Sequence, residues 1–220
     1  MKKIVISLIV FSAILTACKG GAESNSANKK EKMAIKEIAE IETTVSELNN
    51  LDLSSSVITW KGTKPTGSHN GTVALKSGNL IIENGKLTKG IFVVDINTIT
   101  NLDMKGSNRA TKLEGHLKSS DFFDVAVYPT SKFVITSVEE KDTKIAVTGN
   151  LQIKDVTKSI TIPATISTQD GITTFKSDPF TINRADFNVK YKSKSFFKNL
   201  KDKFVDDLVE ISFEVKTKKN

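Results

Sequence analysis

Few residues of this chain are of the kinds from which active sites are built. There are two histidines, His69 and His116, and one cysteine, Cys18. A structural zinc needs four ligands and a catalytic one three plus water. Two histidines far apart in the chain, with no H-x-x-x-H spacing, would need carboxylate help. One loop histidine and one helix histidine is therefore the expectation, with no metal. No Gly-x-Ser-x-Gly and no glycine-rich phosphate loop occurs. The best carboxylate pair is Asp121 and Asp124, within Ser119-Ser120-Asp121-Phe122-Phe123-Asp124. With His116 it supplies acid–base candidates, although such carboxylates more often cap helices or end loops. No catalytic residue is assigned.

The positive charge is more selective than it looks. Thirty of the 32 basic residues are lysine, and only Arg109 and Arg184 are arginine. Arginine offers a rigid planar fork suited to buried or bidentate contacts, whereas lysine is a solvated point charge. The lysines are scattered, which excludes a nucleic-acid face despite a formal charge of +7.

Cys18 follows Leu15-Thr16-Ala17 and an apolar run, Ile4 to Leu15, that begins after Lys2 and Lys3. A basic start, a short apolar run and a small-residue site make a secretory leader, and the run is shorter than the roughly 20 residues a membrane-spanning helix needs. Leu-Thr-Ala-Cys is similar to a bacterial lipoprotein signal, whose cysteine is acylated and becomes the new N-terminus. An ordinary leader that contains a cysteine is the alternative. The chain thus divides into a signal peptide at 1–17, a tether at 18–50 and a domain at 51–220. Loss of Lys2 and Lys3 lowers the formal charge to +5. Ile35, Ile38, Ile41, Val45 and Leu48 recur at helical spacing within the tether. They describe either a marginal linker helix or one packed on the domain.

These candidates must be positioned by strands. From Val57 onward the apolar period is two, as in Val209, Ile211, Phe213 and Val215. Strands are expected at 56–61, 71–76, 79–83, 86–95, 132–140, 143–154, 158–168, 172–182 and 209–216. Asn84-Gly85 and Asp170-Gly171 mark tight hairpins. Pro163 marks an edge, a bulge or a non-bonded position. Two stretches interrupt the pattern, 97–131 and 184–206. The first contains a helix from about Ser107 to Lys118, capped by Ser107 or Asn108. The second contains a short helical turn at Phe196, Phe197 and Leu200. Phe122-Phe123 and Phe196-Phe197 fall in these insertions, either to plug a barrel or to line the mouth of an apolar cavity. The fold class is all-β, a closed antiparallel barrel of about eight strands or a two-sheet sandwich, with one or two short helical insertions.

Gly115-His116-Leu117-Lys118-Ser119-Ser120-Asp121-Phe122-Phe123-Asp124-Val125, followed by Tyr128-Pro129-Thr130 and Phe133, closely resembles the signature of the YceI-like family. Ser68-His69-Asn70-Gly71-Thr72, Gly90 to Ile99, Thr148 to Lys158 and Ile182-Asn183-Arg184-Ala185-Asp186-Phe187 agree in order. The resemblance spans about 55–216. It implies an extended lipocalin-like β-barrel, periplasmic or secreted, whose apolar interior holds an isoprenoid-type lipid such as a quinone or polyprenyl chain. The family usually has glycine where Asn188 stands. Asparagine tolerates left-handed backbone, so the turn is expected to survive, while close approach of backbone to a ligand there is weakened.

The leading functional reading is a lipid-anchored envelope protein that carries or stores such a lipid. It would use no nucleic acid and no cofactor other than the bound lipid. Trp60, Phe92, Val94, Phe133 and Ile135 are the expected wall residues from the first half of the barrel, with Phe180 and Phe213 from the second. Arg184 is the candidate for the lipid head group, or else it pairs with Asp186 or another carboxylate to pin the turn. The alternatives are an enzyme acting on the lipid through His116 with Asp121 or Asp124, and a structural lipoprotein with a filled barrel. By resemblance to the lipoprotein sorting rules of some bacteria, Lys19 rather than Asp after Cys18 leans towards the outer membrane.

Overall fold

The computed structural model describes residues 49–219. The leader, Cys18 and the 33–48 helix lie outside them. Nine strands form one antiparallel sheet: β1 (Leu51–Lys64), β2 (Gly67–Glu83), β3 (Lys86–Asn101), β4 (Thr130–Lys141), β5 (Lys144–Ile153), β6 (Val156–Gln169), β7 (Ile172–Ser177), β8 (Phe180–Asn183) and β9 (Leu208–Thr217). Each strand up to β7 pairs with the next, β7 pairs with β9, and β9 closes on β1. The eight-stranded closure selects the barrel over the sandwich. The ninth strand, β8, pairs with Leu208–Ile211 of β9, beyond the stretch that β7 takes.

Local chemistry explains the turns. Asn84 and Gly85 have φ of 52° and 76°, and Asp170 and Gly171 have 53° and 79°. Both central residues of each hairpin are therefore left-handed, which matches the twist of the flanking strands. Helix α1 (Asn108–Lys118) is capped by Ser107, whose Oγ accepts from the Ala110 N–H at 3.2 Å. Asn188 holds a φ of 59°, the left-handed turn expected of it.

Several boundaries differ from the sequence reading: β1 spans Leu51–Lys64 rather than 56–61, β3 runs on to Asn101 rather than ending at 95, and three further differences have local causes. The 71–76 and 79–83 runs form one strand, β2, because register shifts at Thr72/Ala74 and Leu75/Ser77 bend it without breaking it. Gly78 permits this: a Cβ there would lie 2.5 Å from Leu51 and 2.8 Å from the Ile91 carbonyl. The 172–182 run splits at Asp178-Pro179, where proline has no N–H for a ladder and the Asp178 N–H goes instead to the Pro163 carbonyl. In the 184–206 stretch, 3₁₀ turns form at Arg184–Phe187 and Lys201–Lys203. The segment carrying Phe196 and Phe197 forms simple turns, closed by their N–H groups on the Ser193 carbonyl.

The barrel is solid at one end. Leu51, Leu80, Leu87, Ile135, Ile145, Val147 and Phe175 pack there as a continuous buried cluster, under the hairpins at 84–85, 142–143 and 170–171. At the other end, β6 pairs with β7 only from Ala164 onward. The 102–129 and 184–207 segments cover that end, beside two-residue hairpins at 65–66 and 154–155.

Candidate functional site

The covered end encloses an apolar cavity of about 620 Å³. Its floor is aromatic. Phe133 and Phe92 stack at 6.3 Å and Phe92 and Phe175 at 5.9 Å, Phe175 and Phe213 are tilted against each other at 4.9 Å, and Phe213 meets Phe180 edge-on at 6.3 Å. These five rings cross the barrel and divide packed end from hollow end. Above them the strands contribute aliphatic side chains, among them Val73, Val94, Ile160 and Ile211. Helix α1 and the loop after it form one side of the lid, through Leu113, Leu117, Phe122 and Phe123.

Of the expected wall residues, Trp60, Phe92, Val94, Phe133, Phe180, Arg184 and Phe213 all line the cavity. Ile135 does not. It is 2% exposed within the packed cluster, one step nearer the solid end than Phe133. Strand alternation identifies an inward face but not a depth along the barrel. The aromatic pairs separate as well. Phe122 is buried and Phe123 half-buried on the cavity wall, whereas Phe196 and Phe197 stand exposed and plug nothing.

The lone tryptophan lies across Gly71. A Cβ on that glycine would lie 2.7 Å from the indole and 1.7 Å from the Thr100 carbonyl, so only glycine lets ring and strand approach. Trp60 Nε1 is buried with no hydrogen-bond partner among the described residues. It is a buried donor on a residue that lines the chamber.

The two arginines have different fates. Arg109 is exposed on α1. Arg184 is 4% exposed. Its Nε donates to the Asp206 carbonyl at 2.9 Å, Nη1 to Val189 at 2.7 Å and Nη2 to Val205 at 2.8 Å. Nη2 also lies 3.2 Å from Asp207 Oδ1, an ion-pair distance without hydrogen-bond alignment. The carboxylate partner is thus Asp207, not Asp186. Burial works against the Asp207 carboxylate, but hydrogen bonds from Ser193 and Ser195 and the Arg184 charge outweigh it and hold its pKa below the usual value. The fork clasps the returning 184–207 segment and is largely committed to it.

His69 stands on strand β2 rather than in a loop, paired with Gly62, and His116 stands on the helix; both pair with aspartates at the cavity. His116 Nε2 lies 2.9 Å from Asp121 Oδ2, and its ring meets Phe122 and Tyr191 edge-on at 5.0 and 4.5 Å. Asp124 sits in a left-handed turn, φ 51°, and its carbonyl accepts from Val127 and Tyr128. It is a loop-closing residue. His69 Nδ1 lies 2.9 Å from Asp103 Oδ2. Burial opposes the Asp103 charge, but donors from Asn70, His69 and Asn101 bring its pKa down to about 2. Asp103, Tyr191 and Val189 carried no signal in the sequence beyond their place beside matched motifs. Val73 was readable as the inward partner between Gly71 and Leu75.

The fold and the chamber define a class: a closed antiparallel barrel, solid at one end, with an apolar single-ended cavity at the other. A YceI-like domain is matched over residues 50–217, and the chain belongs to that family. It is 33% identical over 99 residues to Protein YceI of Salmonella arizonae, and equally so to that of Salmonella newport, covering 45% of this chain. The match spans about half (48%) of the length of those curated relatives. Among solved structures, Burkholderia cenocepacia BcnA aligns with a TM-score of 0.62 at 23% identity, over 76% of this chain and 99% of its own. A polyisoprenoid binding domain from Saccharophagus degradans, implicated in plant cell wall breakdown, aligns with a TM-score of 0.59 at 16% identity, over 77% and 97%.

Proposed function

We propose that the hollow end binds a long-chain isoprenoid-type lipid, such as an isoprenoid quinone or a polyprenyl chain, for carriage or storage and without catalysis. The observation that carries this reading is the single-ended apolar cavity of about 620 Å³, within the range of about 300–1,000 Å³ typical of ligand pockets. Each CH₂ moved from water into such a lining gains about 0.8 kcal/mol, so an isoprenoid tail has strong reason to enter. The structural likeness to a polyisoprenoid binding domain supports the same class of ligand. Acylation of Cys18 would place the protein on the bacterial envelope, more readily at the outer membrane. Two chains on that cysteine are enough for stable anchoring.

The test is mass spectrometry of an organic extract from protein purified out of membranes. The expected result is one reproducible long-chain lipid in near-stoichiometric amount. A lipid-free protein would favour a barrel that serves only as structure. His116→Ala is expected to leave the lipid unchanged in identity. Turnover of the lipid that this variant abolishes would instead mark the His116–Asp121 pair as catalytic. The mass of the N-terminal peptide checks acylation of Cys18.

A further inference from the structure

We propose that segment 190–203 docks the mouth of the barrel onto an anionic lipid bilayer surface. The proposal deepens the lipid-binding reading, since it says how a membrane-derived ligand reaches the cavity. Phe196 and Phe197 are 45% and 49% exposed, yet they are not on a loose tail. Both of their N–H groups donate to the Ser193 carbonyl, at 3.2 and 2.9 Å. Ser193 is fully buried, and the Ser195 hydroxyl donates to Asp207 at 2.7 Å. Asp207 is in turn beside Arg184. A scaffold fixed from the interior thus holds two adjacent rings out in water, which is the signature of a surface meant to be covered.

The charge around the rings selects the cover. Residues 190–203 include six lysines and one acidic residue, Asp202. The neighbouring carboxylates are spent inward, Asp206 on the Thr63 hydroxyl and Asp207 on Arg184 and Ser195. Lys190 Nζ sits 4.8 Å above the Phe196 ring. Lysines ringing exposed aromatics suit the bilayer interface, where rings enter the headgroup layer and ammonium groups meet lipid phosphate.

Position completes the case. Lys192, Lys203 and Phe204 also line the cavity, so a bilayer bound here lies against the mouth. Five of the six large apolar residues exposed among the described residues, Leu102, Val127, Phe196, Phe197 and Leu208, are on segments or strand ends at this end of the barrel. The hairpins at the solid end present none.

The experiment uses the full chain carrying Cys18→Ser and one new cysteine, Phe197→Cys or Asp142→Cys, labelled with an environment-sensitive fluorophore. Any attachment through the leader is common to both, so the comparison reads the loop alone. Phosphatidylglycerol–phosphatidylcholine vesicles are expected to blue-shift the probe at 197 and expose it to a bilayer-embedded quencher, while the probe at 142 stays unchanged. Each lysine near an anionic surface is worth about fivefold in binding. The fourfold variant K190Q/K194Q/K198Q/K201Q should therefore lose the shift, as should vesicles of phosphatidylcholine alone. Equal signals at 197 and 142, or a shift retained in the fourfold variant, overturn the proposal. A shift with polyglutamate but not with vesicles overturns it in favour of an acidic protein partner. Lipid extracted from the same preparations separates the two readings. Lipid present without docking refutes only the docking, and docking without lipid refutes only the cavity ligand.

Discussion

The two ends of this barrel are built from the same strands and do opposite things. At the solid end, two-residue hairpins bring neighbouring strands together, and Leu51, Leu80, Ile145 and Phe175 meet across the axis. At the hollow end, β6 leaves its neighbour before Ala164, and two long segments, 102–129 and 184–207, join strand ends beside the two-residue hairpins at 65–66 and 154–155. Side chains of much the same type then face a void. The difference teaches that hollowness here comes from how strands are joined and not from residue size. Stability is therefore expected to reside at one end and ligand binding at the other.

The largest expected effect tests that division. Phe175→Ala removes a fully buried ring stacked on Phe92 and tilted against Phe213 and should cost about 3–5 kcal/mol. In a domain of this size that lowers Tm by about 10 °C. Ile160→Ala, on the cavity wall, should cost about 1 kcal/mol, because one side of that residue already lacks contacts. Thermal melts showing equal losses would erase the distinction between the ends.

Arg184→Lys comes next. Lysine cannot reproduce a fork that reaches three carbonyls, and the loss should be about 2–3 kcal/mol. Limited proteolysis should then cut within 188–207, with the extracted lipid unchanged. A changed lipid with an uncut loop would return Arg184 to the head-group role. Ser107→Ala, which removes the cap of the helix over the cavity, should cost about 1 kcal/mol, read as a Tm lower by about 2–4 °C.

The smallest effect is a pH dependence at the mouth. The folded pKa of Asp103 is about 2, below its ordinary 3.8. Its ionised form is thus favoured by folding, and that contribution is present above pH about 4 and lost as pH falls towards 2. The Tm difference between wild type and Asp103→Asn should be constant near neutrality and vanish at the acid end. A difference that persists at pH 2 would mean the carboxylate charge contributes nothing.

Much of the fold was legible because its signals are local. Asn84-Gly85, Asp170-Gly171 and the Ser107 cap act within a few residues of themselves, and alternation identified which side chains point inward. Depth was not legible: Phe133 and Ile135 share a face, yet only Phe133 reaches the cavity. Nor were the partners of Arg184, since the carbonyls of Val189, Val205 and Asp206 belong to backbone that no residue pattern announces. Paired phenylalanines in both insertions looked alike in the sequence. The fold buries Phe122 and exposes Phe196 and Phe197, because the second insertion meets the chamber through Val189, Tyr191 and Phe204 instead.

Trp60 is the one tryptophan in the chain, and it lines the hollow end, so it reports on the central claim directly. Delipidated protein should be titrated with a detergent-dispersed long-chain isoprenoid quinone while Trp60 emission is followed. The account predicts quenching that saturates at one quinone per chain and is lost on unfolding. Quenching that rises without saturation, equally in folded and unfolded protein, would contradict it.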